Sequence, residues 1–99
     1  MTSRIRASTG NVFRDLGFKP AEAEHLRLRT ELMIRVEKLI QSSGWTQREA
    51  ARILGVTQPR VSDLVRGKSE RFSIDSLVEM LGRAGLEVRV TLRKRTRVA

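Results

Sequence analysis

The sequence predicts a mainly α-helical domain, a bundle built around a helix–turn–helix and closed by a C-terminal β-strand that pairs across a dimer. Three observations predict it. Two short capped segments with a glycine between them occupy residues 46–66. A long amphipathic stretch precedes them, opened by Pro20. From Leu86 onward, the helical spacing of apolar residues gives way to strict alternation.

The first ten residues are small and polar with two arginines, the composition of a flexible arm. Residues 11–18 then crowd Val12, Phe13, Leu16 and Phe18 together. Two readings stand here: a single helical turn closed by Gly17 that folds back on the domain, which is favoured, or a patch that docks on another protein. Pro20 opens the longest helix, expected over about residues 21–43, with Glu22 and Glu24 in its first turn where the helix dipole favours acids. Its apolar stripe is Leu28, Leu32, Val36, Leu39 and Ile40, with Leu26 and Met33 beside it. Ser42, Ser43 and Gly44 end it, and Trp45 is expected to plug the base of the domain.

Thr46 is an N-cap with Glu49 at capping-box spacing, so a helix runs from Gln47 to about Leu54, apolar at Ala50, Ala51, Ile53 and Leu54. Gly55 can take the positive φ that ends a helix, and Val56 plugs the turn. Thr57 caps the second helix, and Pro59 sits in its first turn, where a missing N–H costs nothing. Inward positions there are Val61, Leu64 and Val65. Gln58, Arg60, Ser62, Asp63 and Arg66 are left for the open side. Gly67 stops this helix, the loop 68–71 follows, and Ser73 caps a last helix to about Ala84 with Ile74, Leu77, Val78 and Leu81 inward. Residues 86–93 alternate apolar and polar, the pattern of a half-buried strand. Nothing else in the chain reads as its partner. Leu86, Val88, Val90 and Leu92 are therefore expected to form a dimerisation strand, paired antiparallel with a second copy. Residues 94–99 read as a basic tail. The domain proper is then 11–85, with the helix–turn–helix at 46–66.

Composition narrows the chemistry. Ninety-nine residues make one domain, which buries only about 60–70% of its unfolded surface and gains from sharing its core. Twenty Lys and Arg against 11 Asp and Glu give a net charge of +9, a surface that attracts polyanions and releases their counterions. No apolar run is long enough for a membrane span and no signal-peptide core exists, so a soluble protein is expected. The absence of cysteine excludes disulfides and thiolate metal sites and fits a reducing cytoplasm. His25 stands alone, and no metal cluster, nucleotide loop or nucleophile motif occurs. No catalytic residue and no cofactor are expected.

A short helix held by one narrow stripe, with amide, guanidinium and hydroxyl groups outward, suits the major groove of double-stranded DNA. Glutamine can pair with adenine edges and arginine with guanine edges, each bidentate. The layout resembles the helix–turn–helix of the Xre/Cro (lambda-repressor-like) family. Gln47 falls where that family opens its first helix, Ala51 where the helices come close, Gly55 at the turn, and Val61 and Leu64 at the buried positions of the recognition helix. Gln58 falls at the first base-reading position, eleven residues after Gln47. Pro59 departs from the pattern, because a polar reader often stands there, which shifts readout toward Arg60. The resemblance implies base reading by Gln58, Pro59, Arg60, Ser62 and Asp63. It implies phosphate contacts by Thr46, Gln47, Arg48, Thr57 and Arg66, with Lys68 and Arg71 from the loop that runs beside the DNA backbone. Two copies would set recognition helices about one DNA turn, roughly 34 Å, apart on a palindromic operator.

Residues 11–18, Glu22-Ala-Glu24, Glu31-Leu-Met33, the run Gln58-Pro-Arg-Val-Ser-Asp-Leu64 and the closing Gly85-Leu-Glu-Val88 resemble HigA-type antitoxins, over about residues 11–93. What that implies is a cytoplasmic dimeric repressor of its own operon that also masks a RelE/HigB-like ribonuclease toxin. The toxin rests on the resemblance alone, and the chain is more basic than such antitoxins often are. The alternative is a free-standing Xre/Cro-type regulator with no toxin partner, its apolar flank from Val12 to Leu28 packed on its own body. A ribonuclease of similar length and charge is a third reading, but one isolated histidine and no tyrosine or cysteine supply poor acid–base chemistry for it.

Overall fold

In a computed structural model, which describes residues 16–94, the chain forms four α-helices and a short 3-10 turn. The arm over 1–10, most of the segment 11–18 and the basic tail from Arg95 lie outside the described residues. Helix α1 spans Pro20–Ser43. Proline at its first position and the Glu22 carboxylate, which accepts from the Lys19 N–H at 3.4 Å, start it; Gly44 at φ 71° ends it. Arg27 bridges Glu24 at 2.6 Å and Glu31 at 3.2 Å along its surface.

Helix α2, Gln47–Leu54, carries a complete capping box. Thr46 Oγ1 accepts from the Glu49 N–H at 3.1 Å and Glu49 Oε1 accepts from the Thr46 N–H at 2.9 Å. Gly55 at φ 74° turns the chain, and helix α3, Gln58–Val65, begins with Thr57 Oγ1 accepting from the Arg60 N–H at 3.4 Å. A 3-10 turn at Ser69–Arg71 leads into helix α4, Ile74–Arg83, where Ser73 Oγ accepts from the Ser76 N–H at 3.1 Å. A bond from the Leu86 N–H to the Leu81 carbonyl at 3.0 Å, with Gly85 at φ 89°, closes α4.

The core is one cluster. Leu32, Met33, Val36 and Ile40 of α1 meet Ala50, Ala51 and Leu54 of α2, Val61 and Leu64 of α3, Phe72, and Leu77, Met80 and Leu81 of α4. Helix α1 packs along α4, α2 and α3 pack on each other, and α3 also touches α1 and the 3-10 turn, with Val61 and Leu64 as its buried residues. Trp45 and Val56 are partly buried against this cluster. Val65 and Val78, expected inward, are exposed, and Met80 takes the inward place on α4.

The expected C-terminal strand is corrected. Among the described residues there is no β-strand, and residues 86–94 run without regular structure. Alternation assigns side chains to two faces, but a strand exists only when its backbone donors and acceptors find a ladder, and the helical domain offers none. Val88 alone of the four expected strand residues packs partly against the core. Leu86, Val90 and Leu92 are exposed, Leu92 by 90%. The fold is therefore a mainly α-helical bundle without the strand pairing across a dimer.

Candidate nucleic-acid interface

The caps fix where the polar side chains of the helix–turn–helix stand. Thr57 and Pro59 set the start of α3, and the only buried residues of that helix are Val61 and Leu64. Helical geometry advances about 100° per residue, which puts Pro59, Ser62, Asp63 and Arg66 opposite that stripe. Gln58, Pro59 and Arg66 are exposed; Ser62 and Asp63 are half-buried. Thr46, Gln47 and Arg48 lie exposed at the start of α2, and Thr57 at the start of α3. Thr46 spends both its hydroxyl acceptor and its backbone N–H on Glu49, leaving Gln47 and Arg48 as the outward groups of that end.

Arg60 stands elsewhere. It lies about 70° from the centre of the buried stripe, on the flank of the helix. Its guanidinium sits over the Phe72 ring, 4.3 Å from the centroid, and Nη1 donates to the Arg71 carbonyl at 3.0 Å. Arg71 in turn donates from Nη1 to Asp63 Oδ2 at 3.4 Å. The structure thus joins Arg60, Asp63 and Arg71 in one network and keeps Gln58, Ser62 and Arg66 outside it.

The electrostatics favour a polyanion. Among the described residues, Arg48, Arg52, Arg66 and Lys68 form no ion pair. No described acid neutralises their charge, which favours the approach of phosphates. Glu37 on α1 lies near the end of α3, its Oε2 3.9 Å from where a methyl on Gly67 would stand. Burial raises its carboxyl pKa above the usual range, because desolvation penalises the charged form. Arg83 of α4 lies across the turn, so close that a Cβ on Gly55 would meet its Cδ and Nε at 2.7 Å.

Phe72 is the residue that sequence reasoning missed. Its ring is only 2% exposed and it carries the Arg60 guanidinium. A signal was present: Phe72 precedes the cap Ser73, and Leu77 stands four into the helix, the spacing of a hydrophobic staple. The same spacing relates Val56 to Val61 around Thr57 and Trp45 to Ala50 around Thr46. Arg83 over the turn had no comparable signal.

Among the described residues no group of three His, Cys, Asp or Glu side chains could hold a metal ion, and no helix is long and apolar enough to cross a membrane. A family model described as a helix-turn-helix domain matches residues 12–93. Comparison with curated proteins gives no match.

Proposed function

The chain belongs to the helix-turn-helix domain family, of Xre/Cro type, a non-catalytic DNA-binding family, and from that premise we propose that it is a sequence-specific transcriptional repressor. The observation that carries this reading is that α3 buries only Val61 and Leu64. Gln58, Pro59 and Arg66 stand exposed on it and Ser62 half-buried, beside cations that form no ion pair among the described residues. Gln58 and Ser62 read base edges in the major groove, with Pro59 able to pack on a thymine methyl. Gln47, Arg48, Thr57, Arg66, Lys68 and Arg71 meet phosphates, contacts that position the protein without carrying sequence information.

The finer reading is an antitoxin that represses its own operon and neutralises a RelE/HigB-like ribonuclease. Apolar surface beside α1 supports a protein partner: Leu16 is 69% and Phe18 40% exposed, and Phe18, Ala21, Glu22, His25 and Leu26 line an open groove there. A free-standing regulator would have its own body to cover this flank. Two copies on a palindromic operator remain part of the proposal, with exposed Leu86, Val90 and Leu92 as apolar side chains available to such a contact.

Selection of binding sequences from random duplexes tests the first claim: a two-fold-related motif is expected, and enrichment of no motif would refute it. A basic ribonuclease encoded beside this chain, which it binds and silences, is the outcome expected for the antitoxin. Absence of such a neighbour would favour the lone regulator.

A further inference from the structure

Arg71 is gripped twice by α3. Arg60 holds its carbonyl at 3.0 Å, and Asp63, three residues further along the same helix, holds its guanidinium at 3.4 Å. Arg60 is itself fixed on its face by the Phe72 ring, which the core immobilises. The other end of the turn is tied to the same helix: the Gly67 N–H donates to the Leu64 carbonyl and the Lys68 N–H to the Asp63 carbonyl, both at 3.0 Å. The segment 68–71 is thus anchored to α3 at both ends.

This pattern says what an acidic group does on a face proposed to meet a polyanion. Asp63 with no partner would repel phosphates. Its side chain is only 16% exposed and lies against Arg71, so its charge is spent on orienting a cation. Arg60 has its ring-facing side and one donor occupied, at a position on the flank of the helix.

We propose that Arg60 and Asp63 are positioning residues. They lock the 68–71 turn onto α3, so that Lys68 and Arg71 meet DNA phosphates in fixed register with the bases read by Gln58 and Ser62. Arg60 itself reads no base. The inference rests on the DNA-reading assignment of α3 and goes beyond it by coupling phosphate contact to base readout.

The test uses the full chain and the duplex recovered by selection, measuring affinity across salt and against every single-base variant, with melting to verify folding. Arg60→Lys keeps the charge but loses the planar stack and the oriented donor. It should weaken all duplexes about tenfold and flatten the salt slope by about one, leaving the base-preference profile unchanged. A change of preference at one base pair would make Arg60 a reader and overturn the proposal. Unchanged affinity and slope would reduce the lock to a stabilising contact and overturn it equally. Asp63→Asn removes a negative charge, so a purely electrostatic account expects tighter binding. The lock expects weaker binding with a flatter slope, and tighter binding would contradict it. Should Arg60→Lys fail to fold, Asp63→Asn decides. A wild-type chain that enriches no sequence would refute the DNA reading itself, and the lock with it. Enrichment in the wild type combined with indifferent variants would refute the lock alone.

Discussion

The Arg60 guanidinium lies 4.3 Å from the centroid of the Phe72 ring, which ties α3 to the residue that precedes the cap of α4. A cation over an aromatic face contributes about 0.5–1 kcal/mol at a partly exposed site. Removing the ring also empties core volume. Phe72→Ala should therefore cost about 3–5 kcal/mol of unfolding free energy, and Arg60→Ala about 1–2 kcal/mol through the lost stack and hydrogen bond. In a denaturant double-mutant cycle of Arg60→Ala with Phe72→Leu, coupling of about 0.5–1 kcal/mol is expected. Strict additivity would show that the stack contributes nothing.

Gly55 makes a second prediction, because of two constraints there one is fixed in the backbone and the other can yield. Its φ of 74° is unfavourable for any residue with a Cβ, and that Cβ would run into Arg83. Gly44 shares the conformation, φ 71°, but opens on empty space. Gly44→Ala should cost about 1–2 kcal/mol, the backbone term alone. Gly55→Ala should cost about the same, because the atoms in the way are the far end of the flexible Arg83 side chain, which is 55% exposed and can swing aside. Thermal melts of the two variants read this directly. A markedly larger loss at Gly55, recovered on adding Arg83→Ala, would mean that Arg83 is held in place.

Glu37 gives a pH dependence. Burial raises its carboxyl pKa in the folded chain above the ordinary 4.5, so the neutral form is the one that folding favours. That contribution is fully present below the unfolded value and is lost as pH rises through the folded one. Glu37→Gln should accordingly be more stable than wild type at pH 7. The difference should shrink toward zero as pH falls below 4.5, the ordinary value from which the shift departs. Urea midpoints of the two proteins across that range would show it, and a gain that stays constant with pH would exclude desolvation as the cause.

Much of this fold is legible in the sequence because its boundaries are set by local chemistry. Thr46, Thr57 and Ser73 are caps, and Gly44, Gly55 and Gly67 take the left-handed conformation near helix ends, so the limits of α2 and α3 can be read residue by residue. The apolar stripes were less secure. Val65 and Val78 satisfy helical spacing but stand exposed, since α3 buries only Val61 and Leu64 and Met80 takes the inward place on α4. Phe72 lies between two helices, outside any periodic run, so a periodicity reading passes over it, although its staple spacing to Leu77 was available. Arg60 shows the limit for the site: residue type and position suit a base reader, and only the placement of Phe72 and the Arg71 carbonyl reveals that its guanidinium is engaged. Residues 86–93 erred in the opposite way. Alternation is a local property, whereas a strand requires a neighbour, and the described residues have no sheet edge to offer.

The central claim is that the outward face of α3 enters the major groove with Gln58 against a base edge. The most direct measurement is a titration of the selected operator and each of its single-base variants with wild type and Gln58→Ala. The account predicts that Gln58→Ala flattens discrimination at one base pair per half-site, by about 1–3 kcal/mol, and leaves the other positions as they were. A variant whose preference profile matches wild type at every position would contradict it.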